Sequence, residues 1–271
     1  MGQILVRPGR PDENLARATK AIAAAAAAGA EVVVLPEALD LGWGHESVLT
    51  RSEPIPGPRS RLLASAARRH RIAVVAGLNE RAGGRIYNSA VVISPAGRLL
   101  HVHRKINLLL DVAPMYSVGD RLGVVQMPFG TVGVNICADN FARSLAQAHV
   151  LGRMGGRLIL SPCSWVVPPD HDNTKKPYGR QWLRDYSVVA KLYDMGIVAV
   201  SNVGPVTCGL WKGHKCIGNS LAVGPAGQVL TRGPFGERAQ ALLTVDVPVT
   251  PAPAAGTTWA KHLKQRGYEG V

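Results

Sequence analysis

Residues 91–100 read VVISPAGRLL, and residues 221–230 read LAVGPAGQVL. Each is an apolar run, a Pro-Ala-Gly break and a second apolar run, the pattern of strand, turn, strand. A hairpin stated twice, far apart in one chain, asks for two sheets that carry equivalent hairpins. It is not a short-period repeat, so a solenoid is excluded. The remaining apolar runs are short too. EVVVL at 31–35 and IAVVAG at 72–77 are nearly continuous rather than alternating, as befits strands buried on both faces.

Helix-length segments separate these runs. Pro11 and Asp12 open a helix expected to reach about residue 28, with Gly29 placed to end it. Leu15, Ala18, Ile22 and Ala25 form its apolar stripe. Further helices are expected over 59–70, 143–154 and 181–193, the last with Trp182, Val188, Val189 and Leu192 inward. Gly83–Gly84 marks a hairpin turn. Strands are expected at 3–6, 122–127, 131–136, 157–160, 197–203 and 241–247, and a polar, proline-containing loop at 167–178. Helices between strands, with hairpins mixed in, make a layered α/β fold. No linker divides the chain, so residues 1–250 read as one domain. Residues 251–271, rich in Pro, Ala and Gly and then mixed basic and aromatic, read as an arm on a neighbouring subunit.

A chain of 271 residues can bury its core without disulfides or metal. Its four cysteines, Cys137, Cys163, Cys208 and Cys216, form no CxxC pair and match neither a zinc site nor a disulfide framework. Cysteine use of that kind suits a reduced, cytoplasmic protein. No apolar run is long enough to span a bilayer, and the first residues do not read as a signal peptide. The net charge of +13 raises the question of nucleic acid, but the basic residues are scattered and no aromatic-interleaved tract is present. No nucleic-acid or membrane partner is therefore expected, and the charge remains available to attract anionic substrates.

Chemistry concentrates at 133–141, GVNICADNF. A short buried strand leads into Cys137, and a helix follows. A strand-to-helix turn lifts a side chain out of the sheet and points backbone N–H groups at whatever it attacks. Alone, such a cysteine is more often a small buried hydrophobe. Two other polar residues change the balance. Glu37 follows EVVVL, and Lys105 follows LLHVHR. All three lie just past strand ends, where open sheets place a ligand crevice. A carboxylate can take the thiol proton on attack, and an ammonium can hold the oxyanion that develops. HxH at His101 and His103 could bind zinc, but no third ligand stands out. Cys163 reads as structural, and Cys208 and Cys216 flank a loop carrying Trp211 and Lys212.

VVVLPE, HRKINL and GVNIC, in this order with NLARA, YNSAVVISPAG, YSVGDRL and GNSLAVGPAG, resemble the nitrilase superfamily, the carbon–nitrogen hydrolases with a Glu-Lys-Cys triad. The resemblance covers nearly the whole chain. It implies an αββα sandwich whose subunits pair into homodimers or larger homo-oligomers. It implies a cofactor-free, metal-free enzyme with Glu37, Lys105 and Cys137 catalytic and the Ala138 N–H in the oxyanion site. The substrate is a small molecule with a non-peptide C–N bond, an amide or N-carbamoyl group. Ala138–Asp139 stands where the nitrile-hydrolysing branch commonly has Trp-Glu, which favours amides over nitriles. Tyr116, Asp139, Asn140 and Trp165 are candidate pocket residues. Many members carry a second glutamate after the lysine; here Asp111 is the only acid before Asp120 and is the candidate replacement. Family strands also begin upstream of the position Gln3 matches, so a longer natural first strand is expected, which an upstream reading frame would support. The competing reading is a non-catalytic scaffold on the same fold.

Overall fold

The computed structural model describes residues 1–268, the Arg143 side chain excepted. β1 (Gly2–Gln3) leads to α1 (Pro11–Ala27), whose proline sits in the first turn, where its missing N–H costs nothing. Gly29 takes a φ of +79°, the left-handed conformation that ends a helix. β2 (Val32–Val34), the one-turn α2 (Val48–Arg51) and α3 (Pro58–His70) follow. With β3 (Ala73–Ala82), β4 (Arg85–Ile93) and β5 (Leu99–Arg104), β2 forms a four-stranded sheet in the order β2-β3-β4-β5. Gly83 and Gly84 both have positive φ, as the tight turn between β3 and β4 requires.

The second half supplies β6 (Val124–Met127), β7 (Gly130–Val134), α4 (Leu145–Arg153), β8 (Leu158–Cys163), β9 (Val166–Val167) and α5 (Arg180–Tyr193). Next come β10 (Gly196–Ser201), β11 (Val203–Pro205), β12 (Lys215–Ile217), β13 (Leu221–Val223), β14 (Val229–Arg232), β15 (Ala241–Leu242) and α6 (Thr258–Gln265). Six of these strands form a sheet ordered β14-β13-β10-β8-β7-β6, in which β7, β8 and β10 are parallel. The repeated decapeptides form matching hairpins, β4–β5 in one sheet and β13–β14 in the other. Each hairpin breaks register at the corresponding place, between Val92 and Ile93 and between Ala222 and Val223.

The two sheets pack face to face with helices outside. Val34, Val75, Ala90 and Val92 join one core with Val132, Val134, Leu160 and Val198 of the larger sheet. Their neighbours Val33, Val74, Val91 and Ile93 turn the other way, onto Leu15, Ile22, Leu63 and Ala67 of α1 and α3. Alternate residues thus serve opposite faces and both faces are dry, which is why these strands read as unbroken apolar runs. Tyr186, Val189 and Ala190 of α5 and Leu151 of α4 cover the outer face of the larger sheet.

Three expectations change. Val188 is exposed, because α5 turns its Trp182, Val189 and Leu192 stripe inward and leaves Val188 beside it. Only Ala241–Leu242 of the expected strand 241–247 pairs, with β1; Leu243, Val245 and Val247 still pack on the core, but as an extended strap. Third, residues 251–268 carry side chains that pack on the chain's own core, where the sequence suggested an arm on a neighbouring surface. Trp259 of α6 is buried against Tyr193, with ring centroids 4.9 Å apart, Leu263 is buried beside it, and Arg266 pairs with Asp194 at 2.8 Å. Residues 269–271 of that segment lie outside the described residues.

Candidate active site

Glu37 stands where β2 runs out. Its backbone N–H donates to the Cys163 carbonyl of the opposing sheet at 3.2 Å, which fixes the exit of β2 against the exit of β8. The turn then kinks sharply, with Ala38 at φ +46°. Gly77 of β3 makes room for it. A Cβ at that position would sit 2.5 Å from the Glu37 Cα and 2.7 Å from the Ala38 nitrogen, both backbone atoms that cannot swing aside.

Lys105 follows the last residue of β5 and is as buried as Glu37. Its N–H donates to the Asn88 carbonyl at 2.8 Å, and its Nζ reaches Glu37 Oε1 at 2.7 Å. Asn88 also donates from Nδ2 to the same oxygen, at 2.6 Å. Glu37 Oε1 is thereby doubly held, while Oε2 is buried with no partner among the described residues. A buried carboxylate oxygen with no donor keeps its lone pairs open to accept a proton.

Cys137 comes three residues after β7 and opens a short 3-10 turn, Cys137–Asn140. It has φ +45°, a left-handed conformation that costs a residue with a Cβ about 1–2 kcal/mol. Strain of this kind lifts a nucleophile out of the strand direction. The Asp139 N–H is tied to the Ile136 carbonyl, whereas the Ala138 N–H makes no hydrogen bond among the described residues. It therefore remains available to an oxyanion.

Charges interlock at this point. Burial works to lower the Lys105 pKa, but the charges of Glu37, Cys137 and Asp139 outweigh it and hold the ammonium above its ordinary 10.5. A hydrogen bond with Cys163, then burial and the Glu37 charge, push the Cys137 thiol well above its usual value, against the pull of Lys105. Cys137 therefore rests as a thiol and Lys105 as an ammonium.

The other sequence candidates go elsewhere. Asp111 is exposed on the loop after Lys105 and accepts a hydrogen bond from Trp211 Nε1 at 3.1 Å, so it does not attend Glu37. Asp111→Asn keeps an acceptor for the indole and should change turnover by less than about threefold, as surface substitutions do. Parallel kcat measurements with Glu37→Gln check this. Tyr116 is buried, its hydroxyl donating to Asn79 Oδ1 at 2.8 Å. Asp139 and Asn140 are buried and spend their polar atoms inside the fold rather than on a pocket wall. Asn140 braces the Cys137 turn, donating to the Cys137 carbonyl and Ser161 Oγ. Trp165 is buried and stacked on Trp182 at 5.1 Å. His103 binds Asp139, and among the described residues no cluster of three His, Cys, Asp or Glu could hold a metal ion. A cavity of about 530 Å³ opens beside the Cys137–Asn140 turn, lined by Phe141, Val166, His171, Tyr178 and Trp182 and by none of the three triad candidates. Asn88 is the site residue that strand ends do not mark, and its segment YNSAVV is its one sequence signal; Cys163, read as structural, is buried with its sulfur beside Ser161.

Comparisons with known proteins bear on the family and on the fold. A family model described as carbon-nitrogen hydrolase matches residues 1–252. A nitrilase of Pyrococcus abyssi is 32% identical over 243 residues, covering 88% of this chain and 85% of that protein. An omega-amidase of Xenopus tropicalis is 36% identical over 170 residues, so this chain matches only 60% of that relative's length, and 59% of its own. Among solved structures, a mutant of the amidase from Nesterenkonia sp. AN1, with acrylamide added at its active-site cysteine, superposes at a TM-score of 0.76 and 22% identity over 91% of each chain. A second mutant of that nitrilase-superfamily amidase reaches 0.78 at 21% identity, over 98% of this chain and 92% of the other. At such identities these structures speak to the α/β fold.

Proposed function

The chain belongs to the carbon–nitrogen hydrolase family, and on that premise we propose that it hydrolyses a small amide or N-carbamoyl compound through a thioester on Cys137. The observation that carries this reading is the divided Glu37 carboxylate, with Oε1 pinned by Lys105 and Asn88 and Oε2 buried and without a partner among the described residues. Such a group can shuttle a proton without losing its place.

The Cys137 thiol gives its proton to Glu37 as sulfur bonds to the substrate carbonyl carbon. Lys105 and the Ala138 N–H stabilise the tetrahedral oxygen, one such donor being worth about 3–4 kcal/mol in the transition state. The C–N bond breaks as Glu37 returns the proton to nitrogen, so ammonia or an amine departs and an acyl group stays on sulfur. Water then passes a proton to Glu37 and bonds to the carbonyl. The C–S bond breaks, the acid leaves, and the thiol regains its proton. Asn88 holds Glu37 in place throughout.

Nitrile hydrolysis is the second reading, favoured by the name of the Pyrococcus abyssi relative. A non-catalytic scaffold is disfavoured, since it would have no use for a strained nucleophile turn or a buried ion pair. Ammonia release should be screened over amides, ureido acids and nitriles. With the best substrate, rapid acid quench should leave one acyl group on the peptide containing Cys137, and hydroxylamine should divert it to a hydroxamate. Turnover with neither adduct nor hydroxamate would remove the covalent route; no turnover across the panel would remove the enzyme reading.

A further inference from the structure

Asp139 is buried completely, yet it is surrounded by donors from three separate segments. Oδ1 accepts from the N–H groups of Ile106 at 3.2 Å and Asn107 at 2.8 Å, and from Gln147 Nε2 of α4 at 3.2 Å. The Asn107 side chain adds a long contact at 3.5 Å. Oδ2 accepts from the Ile136 N–H and from His103 Nε2, both at 2.9 Å. The positions of these donors matter more than their number. His103 lies two residues before Lys105, and Ile106 and Asn107 lie directly after it. Ile136 directly precedes Cys137, and Asp139 itself lies two residues beyond. One carboxylate therefore grips the chain on both sides of the lysine and on both sides of the cysteine.

We propose that Asp139 is a positioning residue, one that locks the Lys105 segment and the Cys137 turn into a single register so that ammonium and sulfur converge on the same substrate atom. None of its hydrogen bonds goes to Glu37, Lys105 or Cys137 side chains, so it acts through them. The requirement is physical. Lys105 and Cys137 belong to different sheets, and β5 and β7 share no ladder. Backbone pairing alone leaves their separation free to drift, and a misplacement of about 1 Å can cost about a hundredfold in rate. The carboxylate suits the task because five or six donors satisfy it. Burial would favour its neutral acid, but His103, Lys105 and the Asn107 N–H outweigh that and keep its pKa low. Its charge also acts on Lys105. Lys105 thus keeps one anionic neighbour when Glu37 carries the thiol proton. His103 completes the clamp by meeting Oδ2 through Nε2, and its Nδ1 is buried with no partner among the described residues.

This proposal rests on the Glu37–Lys105–Cys137 reading, so its test uses a measurement that needs no substrate. The rate of Cys137 carbamidomethylation by iodoacetamide is followed by peptide mapping, beside kcat and KM for the best amide. Asp139→Asn keeps the volume but must turn an NH2 toward one set of donors. It should lower kcat about 10–100-fold with KM little changed, a loss typical of residues that orient a reacting group. Cys137 labelling at neutral pH should slow in the same variant while circular dichroism stays native. His103→Gln, which can still offer an N–H to Asp139, should keep most of the activity, and His103→Leu should lose it. A folded Asp139→Asn with wild-type kcat and labelling rate overturns the proposal. So do His103→Gln and His103→Leu variants that are equally active, the comparison that decides if Asp139→Asn does not fold. A wild-type protein inert to every amide but with Cys137 labelling slowed in Asp139→Asn would sink the substrate reading and leave the clamp standing.

Discussion

Cys137→Ala is expected to leave the protein folded and without measurable turnover, a loss of at least about 10⁴-fold, as for removal of the nucleophile in other covalent enzymes. The structural cost is small. Alanine at φ +45° carries the same backbone strain as cysteine, and the deleted sulfur sits at a strand mouth rather than deep between the sheets. Destabilisation should therefore be about 1 kcal/mol, an ordinary value for a point mutant. No neighbour can take over. Cys163 is fully buried and its sulfur is engaged with Ser161, Cys208 Sγ lies against the Gly44 carbonyl, and burial pushes the Cys216 thiol up to about 11. Cys137→Ser is a sharper form of the test. It keeps a hydroxyl in the same turn, but a hydroxyl is a far weaker acid than a thiol and is much harder for a carboxylate to activate. Ammonia release per folded protein, with unfolding followed in parallel, separates the two effects. Cys137→Ala with even a few per cent of wild-type turnover would sink the assignment of the nucleophile.

The elements that sequence reasoning located well are those whose signal is local. Pro11 and Gly29 bracket α1, Gly83–Gly84 turns β3 into β4, and the unbroken apolar runs report two dry faces without need of a partner's identity. Strand 241–247 misled because its alternation is genuine: Leu243, Val245 and Val247 do face the core, but a pattern cannot say whether a neighbouring strand is there to pair. The site divides in the same way. Glu37, Lys105 and Cys137 each follow a strand, so their convergence can be read from strand ends. Asn88, in the interior of β4, has no such marker, and its aim at Glu37 depends on the register of β4 against β3 and β5. Asp111 and Asp139 show the opposite hazard. Their residue type suited chemistry, but one hydrogen-bonds to an indole on the surface and the other is spent on backbone N–H groups. Which acid a site uses is decided by where its oxygens can reach, and that is a tertiary property.

Glu37→Gln is expected to lower kcat by about 10³–10⁴-fold, the upper range for loss of a positioned general acid–base group. The amide preserves shape and can still accept from Lys105 and Asn88 through its oxygen, so the pocket should not collapse. Its NH2 replaces the free Oε2, turning the proton acceptor into a donor aimed at the same place. The Cys137 thiol, still raised by its hydrogen bond with Cys163 and by burial, then has Lys105 to favour its thiolate but no carboxylate to take its proton. Lys105 also loses its nearest countercharge. Its raised pKa means that the ion pair's contribution to stability is fully present below the ordinary lysine value of 10.5 and is lost only as pH climbs beyond it. At neutral pH the variant therefore gives up that contribution and should unfold at lower temperature than wild type. The gap should narrow at strongly alkaline pH, where wild type gives it up too. Glu37→Leu should be worse on both counts, since it leaves a buried ammonium unpaired, at a cost of about 3–5 kcal/mol. Lys105→Arg should not restore turnover in the wild-type background, because a planar fork cannot stand in for a compact ammonium wedged between Glu37 and Cys137. Turnover measured at fixed substrate, with thermal unfolding across pH, reads all of these. A Glu37→Gln variant within tenfold of wild type would mean that another group moves the proton, and the free Oε2 would then have no part in the chemistry.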